Sequence, residues 1–204
     1  MKYDLAAARL IILLTAVCLW GCSSLPEIER VHIDAELKIS GRWNDIDSNK
    51  VSGAMIADCL NSPWSSRYSS SHRGKRPDVI IGRIFNRSHE HINIQTFIKD
   101  LERALIQSER VCFVASQYER GDIRAEREDM AIHSSVESFK GPGHEAGADY
   151  MLKGYINSII DEAGGRKVVY YQVNLDLSDM STNRKVWSGC VKIKKLIKRA
   201  KYTW

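Results

Sequence analysis

Apolar and polar positions along this chain change period several times, and each change marks an element. Val31, Ile33, Ala35, Leu37 and Ile39 alternate with more polar neighbours, the period-2 pattern that predicts a half-buried strand over 31–39. Gly41 to Asp45 is turn-rich, and Asp47 or Ser48 stands where a helix cap is expected. Through that helix Val51, Met55, Ile56, Cys59 and Leu60 share one face, until Asn61 and Pro63 end it. Ser62 to Ser71 holds six serines and His72 to Pro77 is basic, so the whole stretch is read as a solvated loop. Val79 to Phe85 is apolar on both faces, as a central strand would be. Asn93 is placed to cap a helix in which Ile94, Phe97, Ile98, Leu101 and Leu105 recur at helical spacing. Val111 to Val114 predicts a second buried strand. Glu119 to Met130 is almost all charge, with Arg124 and Glu128 four apart as a helical pair, and Gly141-Pro142-Gly143 breaks any helix extending from it.

The last quarter carries the clearest pattern. Tyr150 to Ile160 is strand-like, and Gly164-Gly165 marks a turn. Val169, Tyr171, Val173, Leu175 and Leu177 then alternate, and after Asp179 to Arg184 so do Trp187, Gly189, Val191 and Ile193. These elements make the fold class α/β (mixed α+β). A βαβ first part is closed by an antiparallel C-terminal meander, with helices packed on the sheet in one domain over 31–204.

The first tenth of the chain is different. Lys2 and Arg9 precede a run from Leu10 to Trp20 that is apolar apart from Thr15. Such a run is shorter than the roughly 20 residues a membrane-spanning helix needs, and it reads as a signal peptide over 1–21. Leu19-Trp20-Gly21-Cys22 resembles the lipobox of bacterial lipoproteins. That resemblance implies that the Cys22 thiol receives a diacylglycerol, that the amine freed by cleavage receives an acyl chain, and that residues 22–30 form a short tether. Two or more acyl chains anchor a protein stably where one does not. Ser23 after the cysteine suggests the outer membrane, with the domain on its periplasmic face. Eight residues from Ser23 to Arg30 reach at most about 30 Å. No other cofactor is expected.

Composition removes other classes. A chain of 204 residues with 44% hydrophobic and 27% charged residues is globular rather than disordered. Beyond Cys18 and Cys22 the cysteines are Cys59, Cys112 and Cys190, all in apolar stretches and read as small buried hydrophobes that make at most one disulfide. No nucleotide loop, zincin helix or nucleophile elbow occurs, so the chain is not read as an enzyme. His89 and His91 flank Glu90, but a metal there would need further ligands from elsewhere. The net charge of +5 and the run Lys192, Lys194, Lys195, Lys198, Arg199 and Lys201 would fit nucleic acid in a cytosolic protein. In an exported lipoprotein the same run reads as the solvated end of an edge strand, and neither nucleic acid nor a small-molecule substrate is expected.

A family resemblance rests on several short segments. Gly82 to Ser88, the helix around Thr96, Leu101, Ala104 and Leu105, Gly147 to Leu152, and Val186-Trp187-Ser188-Gly189 together resemble the LpoB family, in order over about residues 43 to 195. The resemblance implies a domain similar to the N-terminal domain of TolB. It also implies an outer-membrane lipoprotein that activates a class A penicillin-binding protein by binding it. Candidate docking residues are Arg87, His89 and His91 on one loop, and Lys140 and His144 within Ser138 to Glu145. Asn86 and Trp187 also match the family pattern and are read as structural, Asn86 closing a turn and Trp187 facing inward. A second class is a structural or secretion-assembly lipoprotein related to CsgG, and an envelope hydrolase is a third.

Overall fold

The computed structural model describes residues 29–32, 35, 40–135, 137–138, 140, 143 and 145–198. Residues Met1–Leu37 and Lys38–Trp204 are separate units. Of the segment expected as a strand over 31–39, only Val31, His32 and Ala35 are described, and none of the three is in a strand. The Ala35 amide instead bonds the His32 carbonyl at 3.0 Å, a local turn contact.

In the second unit the order is α1 (Asp45–Asn61), α2 (Trp64–Ser71), β1 (Asp78–Arg87), α3 (Ile94–Gln107), β2 (Cys112–Phe113), α4 (Gln117–His133), β3 (Tyr150–Ala163), β4 (Arg166–Asp179) and β5 (Lys185–Lys198). The five strands lie in the order β2-β1-β3-β4-β5. Pairing is parallel on both sides of β1 and antiparallel from β3 to β5, so the expected βαβ unit closed by a meander is the fold. Gly164 and Gly165, with φ of 56° and 74°, make the two-residue β3–β4 hairpin, a turn that demands the left-handed region at both positions.

Helix α1 packs on β5 and on α3, and α3 packs on β1, so one face of the sheet is covered. The core between these layers is what the two periods dictate. Val51, Met55, Cys59, Phe97, Leu101 and Leu105 enter from the helices, and Leu152, Ile156, Tyr171, Val173 and Leu175 enter from the strands. Trp43 closes this layer edge-on, its ring centroid 5.6 Å from Tyr171 and 6.2 Å from Phe97.

The start of α1 is one turn earlier than the sequence suggested. Asn44 is the cap: its side chain accepts the Asp47 amide at 3.0 Å, and the Asp47 carboxylate accepts the Asn44 amide at 3.0 Å. Asp47 is therefore the inner half of a capping box. Its carboxylate also pairs with Lys195 on β5.

Residues 64–71 are helical rather than part of a loop. Trp64 and Tyr68, four apart, both meet Tyr150 edge-on, at 5.0 and 5.8 Å. The Trp64 indole N–H donates to the Cys59 carbonyl at 2.7 Å. The serines that argued for a loop bond back along the helix, Ser70 to the Ser66 carbonyl at 2.9 Å and Ser71 to that of Arg67 at 3.0 Å. Packing of two aromatic rings, one buried and one half-buried, overrides weak local propensity here.

Among the described cysteines only Cys59 is buried. Cys112 is half-buried, Cys190 is exposed on the outward period of β5, and all three are free thiols. Arg124 does not pair with Glu128: it grips Glu145 through two bonds of 2.8 Å, with Arg127 adding a third at 3.1 Å. Helix α4 buries no residue of its own and is tied down by these ion pairs and by Lys99–Glu119 at 2.7 Å.

Candidate partner-binding site

The loop after β1 is built by Asn86. Its amide donates to the Glu90 carbonyl at 2.7 Å, while its oxygen accepts the Ser88 amide at 2.9 Å and the Ser88 hydroxyl at 2.6 Å. Asn86 thus closes the turn. His89 is drawn back to β3, its amide and its Nδ1 lying 2.9 and 3.0 Å from the hydroxyl of the buried Ser158. Glu90 turns the other way and accepts the Trp43 amide at 3.0 Å. Burial, together with the Glu90 carboxylate beside it, holds the Tyr171 hydroxyl well above the ordinary phenol range. His89 and Glu90 therefore point to different neighbours, and His91 is exposed. Among the described residues no group of three or more His, Cys, Asp or Glu side chains could hold a metal ion.

Arg87, at the end of β1, behaves differently. It is exposed, and its guanidinium carbon stands 5.1 Å from the Tyr155 ring centroid and 5.7 Å from that of Phe85. The Arg83 guanidinium lies 5.6 Å from the same Phe85 ring. Each contact has cation–π geometry. These residues lie on the sheet face that α1 and α3 leave uncovered. Strand register extends the face: Arg87 is opposite Asn157, then Gln172, then Lys192, while Phe85 is opposite Tyr155, then Asn174, then Cys190. The next row is Ile159, Tyr170 and Lys194. Phe85 is 44% exposed, Ile159 63% and Leu196 57%.

Polar groups on this face are organised. The Tyr170 hydroxyl donates to Gln172 at 3.2 Å, and the Gln172 amide donates to Asn174 at 3.1 Å. The Asn174 amide nitrogen is buried with no partner among the described residues. Of the acids, Asp176 is bound to Lys185 at 2.8 Å, which helps hold its carboxyl below the usual carboxylate range despite the opposing effect of burial. Arg87, Lys153, Lys192 and Lys194 leave the face positive.

Of the candidate docking residues, Arg87 is on this face, His89 is fastened to β3 beside it, and His91 is exposed in the same loop. Lys140 is exposed in the connection between α4 and β3, and no described contact joins it to that loop. His144 and Cys22 lie outside the described residues. Lys192 and Lys194 were read only as the solvated end of an edge strand, and Phe85 and Tyr155 were missed by sequence reasoning, which looked at loops. Their signal was apolar or aromatic residues on the period-2 positions that point away from the core.

The family motifs prove largely structural. Trp187 is buried and its indole N–H donates to Asp58 of α1 at 2.9 Å. Asp149 accepts the Asp78 amide at 2.8 Å, locking the start of β3 beside β1. The Tyr68 hydroxyl, bonded to the Asp149 carboxylate, is pushed up to about 12.

The domain is a mixed α/β layer with one helix-covered face and one open face of guanidinium, aromatic and ammonium groups. The family model for the peptidoglycan-synthase activator LpoB matches residues 47–193, and the chain belongs to the LpoB family. Among solved structures, it is similar to the LpoB C-terminal domain from Escherichia coli at 16% identity, covering 73% of this chain and 99% of that one with a TM-score of 0.41. The LpoB C-terminal domain from Salmonella enterica gives 16%, 75%, 99% and 0.39. Lipoprotein GNA1162 from Neisseria meningitidis gives 14%, 62%, 88% and 0.37. A comparison with curated proteins finds none that matches.

Proposed function

We propose that this protein is a lipid-anchored periplasmic regulator that binds and activates a class A penicillin-binding protein in peptidoglycan synthesis. Membership of a family of peptidoglycan-synthase activators carries the reading. The anchor is Cys22, acylated after removal of residues 1–21, and Ser23 favours the outer membrane. Among the described residues the core first holds Gly41, whose carbonyl accepts the Tyr171 hydroxyl at 3.3 Å. The chain from Cys22 to Gly41 therefore spans at most roughly 65 Å. The partner must bring its own periplasmic part within that reach of the anchoring membrane.

Docking uses the open sheet face centred on Arg87. Aromatic rings and arginine are the side chains that dominate protein–protein interfaces, and the surrounding lysines select an acidic partner surface. Activation is then a coupling free energy between this docking surface and the partner's active site, typically 1–3 kcal/mol.

The test has two parts. Pull-down from detergent extract should recover a class A penicillin-binding protein with the wild type and lose it with Cys22→Ala. With purified proteins, Arg87→Glu should weaken binding at least tenfold and abolish the stimulation of glycan polymerisation. A like reversal at Lys75, exposed elsewhere, should change neither. A peptidoglycan-cleaving activity in the purified protein would sink the binding reading.

A further inference from the structure

Strand β1 is paired to β3 from Val79 to Arg87, but to β2 only at Asp78 and Val79. The Val114 amide, bonded to the Val79 carbonyl at 2.9 Å, makes the last backbone contact on that side among the described residues. From Ile80 to Arg87 the strand keeps a bare edge roughly 25 Å long. Proteins blunt such an edge with proline, charge or a bulge, or cover it. This one has no proline, and its irregularity is a bulge between Ile81 and Ile84 that leaves Arg83 exposed.

Beside the edge runs a groove of about 880 Å³, open between β1, α3 and the first turn of α4. Ile80, Ile94 and Ile98 make it apolar, and Tyr118, 88% exposed, stands at its rim. Its charges divide into two sets. Lys99 is engaged by Glu102 at 2.6 Å and Glu119 at 2.7 Å, so both acids of the groove are already matched. Arg83 and Arg120 form no ion pair among the described residues, and the Arg120 Nε is buried with no hydrogen-bond partner.

We infer that this groove binds an extended peptide segment of a partner protein as an added strand on β1, with alternate apolar side chains toward the isoleucines and a carboxylate taken up by Arg120 and Arg83. The backbone edge supplies main-chain hydrogen bonds, and the groove supplies selection by side chain. A second copy of this chain is the wrong occupant on charge grounds. Pairing two β1 edges would gather the unpaired cations of both copies, Arg83 and Arg120, around one groove whose acids are already matched. The site borders the open sheet face, with Arg83 at the boundary and Arg120 away from it, and holds whether or not the partner is a penicillin-binding protein.

The experiment uses the full chain in detergent micelles and three fluorescein-labelled octapeptides. One alternates valine and glutamate, one alternates valine and lysine, and the third is the glutamate peptide N-methylated at every second backbone nitrogen. Fluorescence polarisation should show the glutamate peptide binding at least tenfold more tightly than either of the others. Hydrogen exchange should slow in residues 80–87 when it binds. The double variant Arg83→Glu, Arg120→Glu should reverse the preference toward the lysine peptide, with an unchanged far-ultraviolet dichroism spectrum showing that it is folded. Equal affinity for the acidic and basic peptides, undiminished binding of the N-methylated one, protection outside 80–87, or no binding up to about 1 mM would each overturn the inference. So would sedimentation showing a dimer that protects those same residues, because the edge would then be taken by a second copy.

Discussion

Gly189 stands two residues after Trp187 on the same face of β5, and the indole lies directly over it. A β-carbon built on Gly189 would come 2.1 Å from Cζ2 of Trp187 and 2.5 Å from Cη2, far inside van der Waals contact. Gly189→Ala must therefore push the indole aside. The ring is held in place by its Nε1 bond to Asp58 at 2.9 Å, so moving it breaks the link between β5 and α1. Overpacking of a filled core costs about 1–3 kcal/mol, and loss of a hydrogen bond to a charged acceptor adds roughly 1.5 kcal/mol. The expected destabilisation is about 2.5–4.5 kcal/mol. Urea unfolding followed by circular dichroism at 222 nm measures it as a lower midpoint at unchanged slope. The decisive comparison is a double-mutant cycle. In a Trp187→Leu background there is no indole to displace, so Gly189→Ala should cost at least about 1 kcal/mol less than it does alone. If the two substitutions are additive, or if Gly189→Ala costs less than about 0.5 kcal/mol, the steric account of the Trp-Ser-Gly motif is wrong.

Asn44→Ala removes half of the α1 capping box and should cost about 1 kcal/mol, which thermal unfolding reads as a Tm lower by about 2–4 °C. Ellman's reagent should label Cys190 in the native protein, while Cys59, whose thiol burial pushes up to about 12, reacts only on unfolding; labelling of Cys59 at the rate of Cys190 would contradict its burial. Lys99 holds the Glu119 carboxyl down to about 2, so this pair contributes fully above the usual carboxylate range and is lost as pH falls from about 4.5 to about 2. Both side chains are largely exposed, so screening limits the effect to a few tenths of a kcal/mol. Glu119→Gln should flatten the acid limb of the stability–pH curve by that amount.

The reading of strands β3 to β5 shows how far local pattern reaches. Strict alternation from Val169 to Leu177 states which side chains face the core, and Gly164-Gly165 states where the chain turns back. Asn93 was legible as the cap of α3 for the same reason, since capping and periodicity depend only on neighbours a few residues away. Residues 64–71 escaped, because the rings that make them helical rest on Tyr150, some eighty positions downstream.

The docking face divides along the same line. Arg87 was legible as an exposed base after a strand, and Asn86 as a turn former. That Arg87 meets Tyr155, that its row continues to Lys192, and that Cys190 is exposed were not legible. Those facts depend on strand order and register, which are fixed by long-range pairing rather than by any local signal. By itself the sequence determined the periods of β3 to β5, the cap of α3, the hairpin and the family segments, because each is a short-range property of the covalent chain. Tertiary structure alone decided which open face gathers the cations and rings, and which edge of β1 is left bare. Both result from packing one layer of helices on one side of a sheet whose second strand is only two residues long.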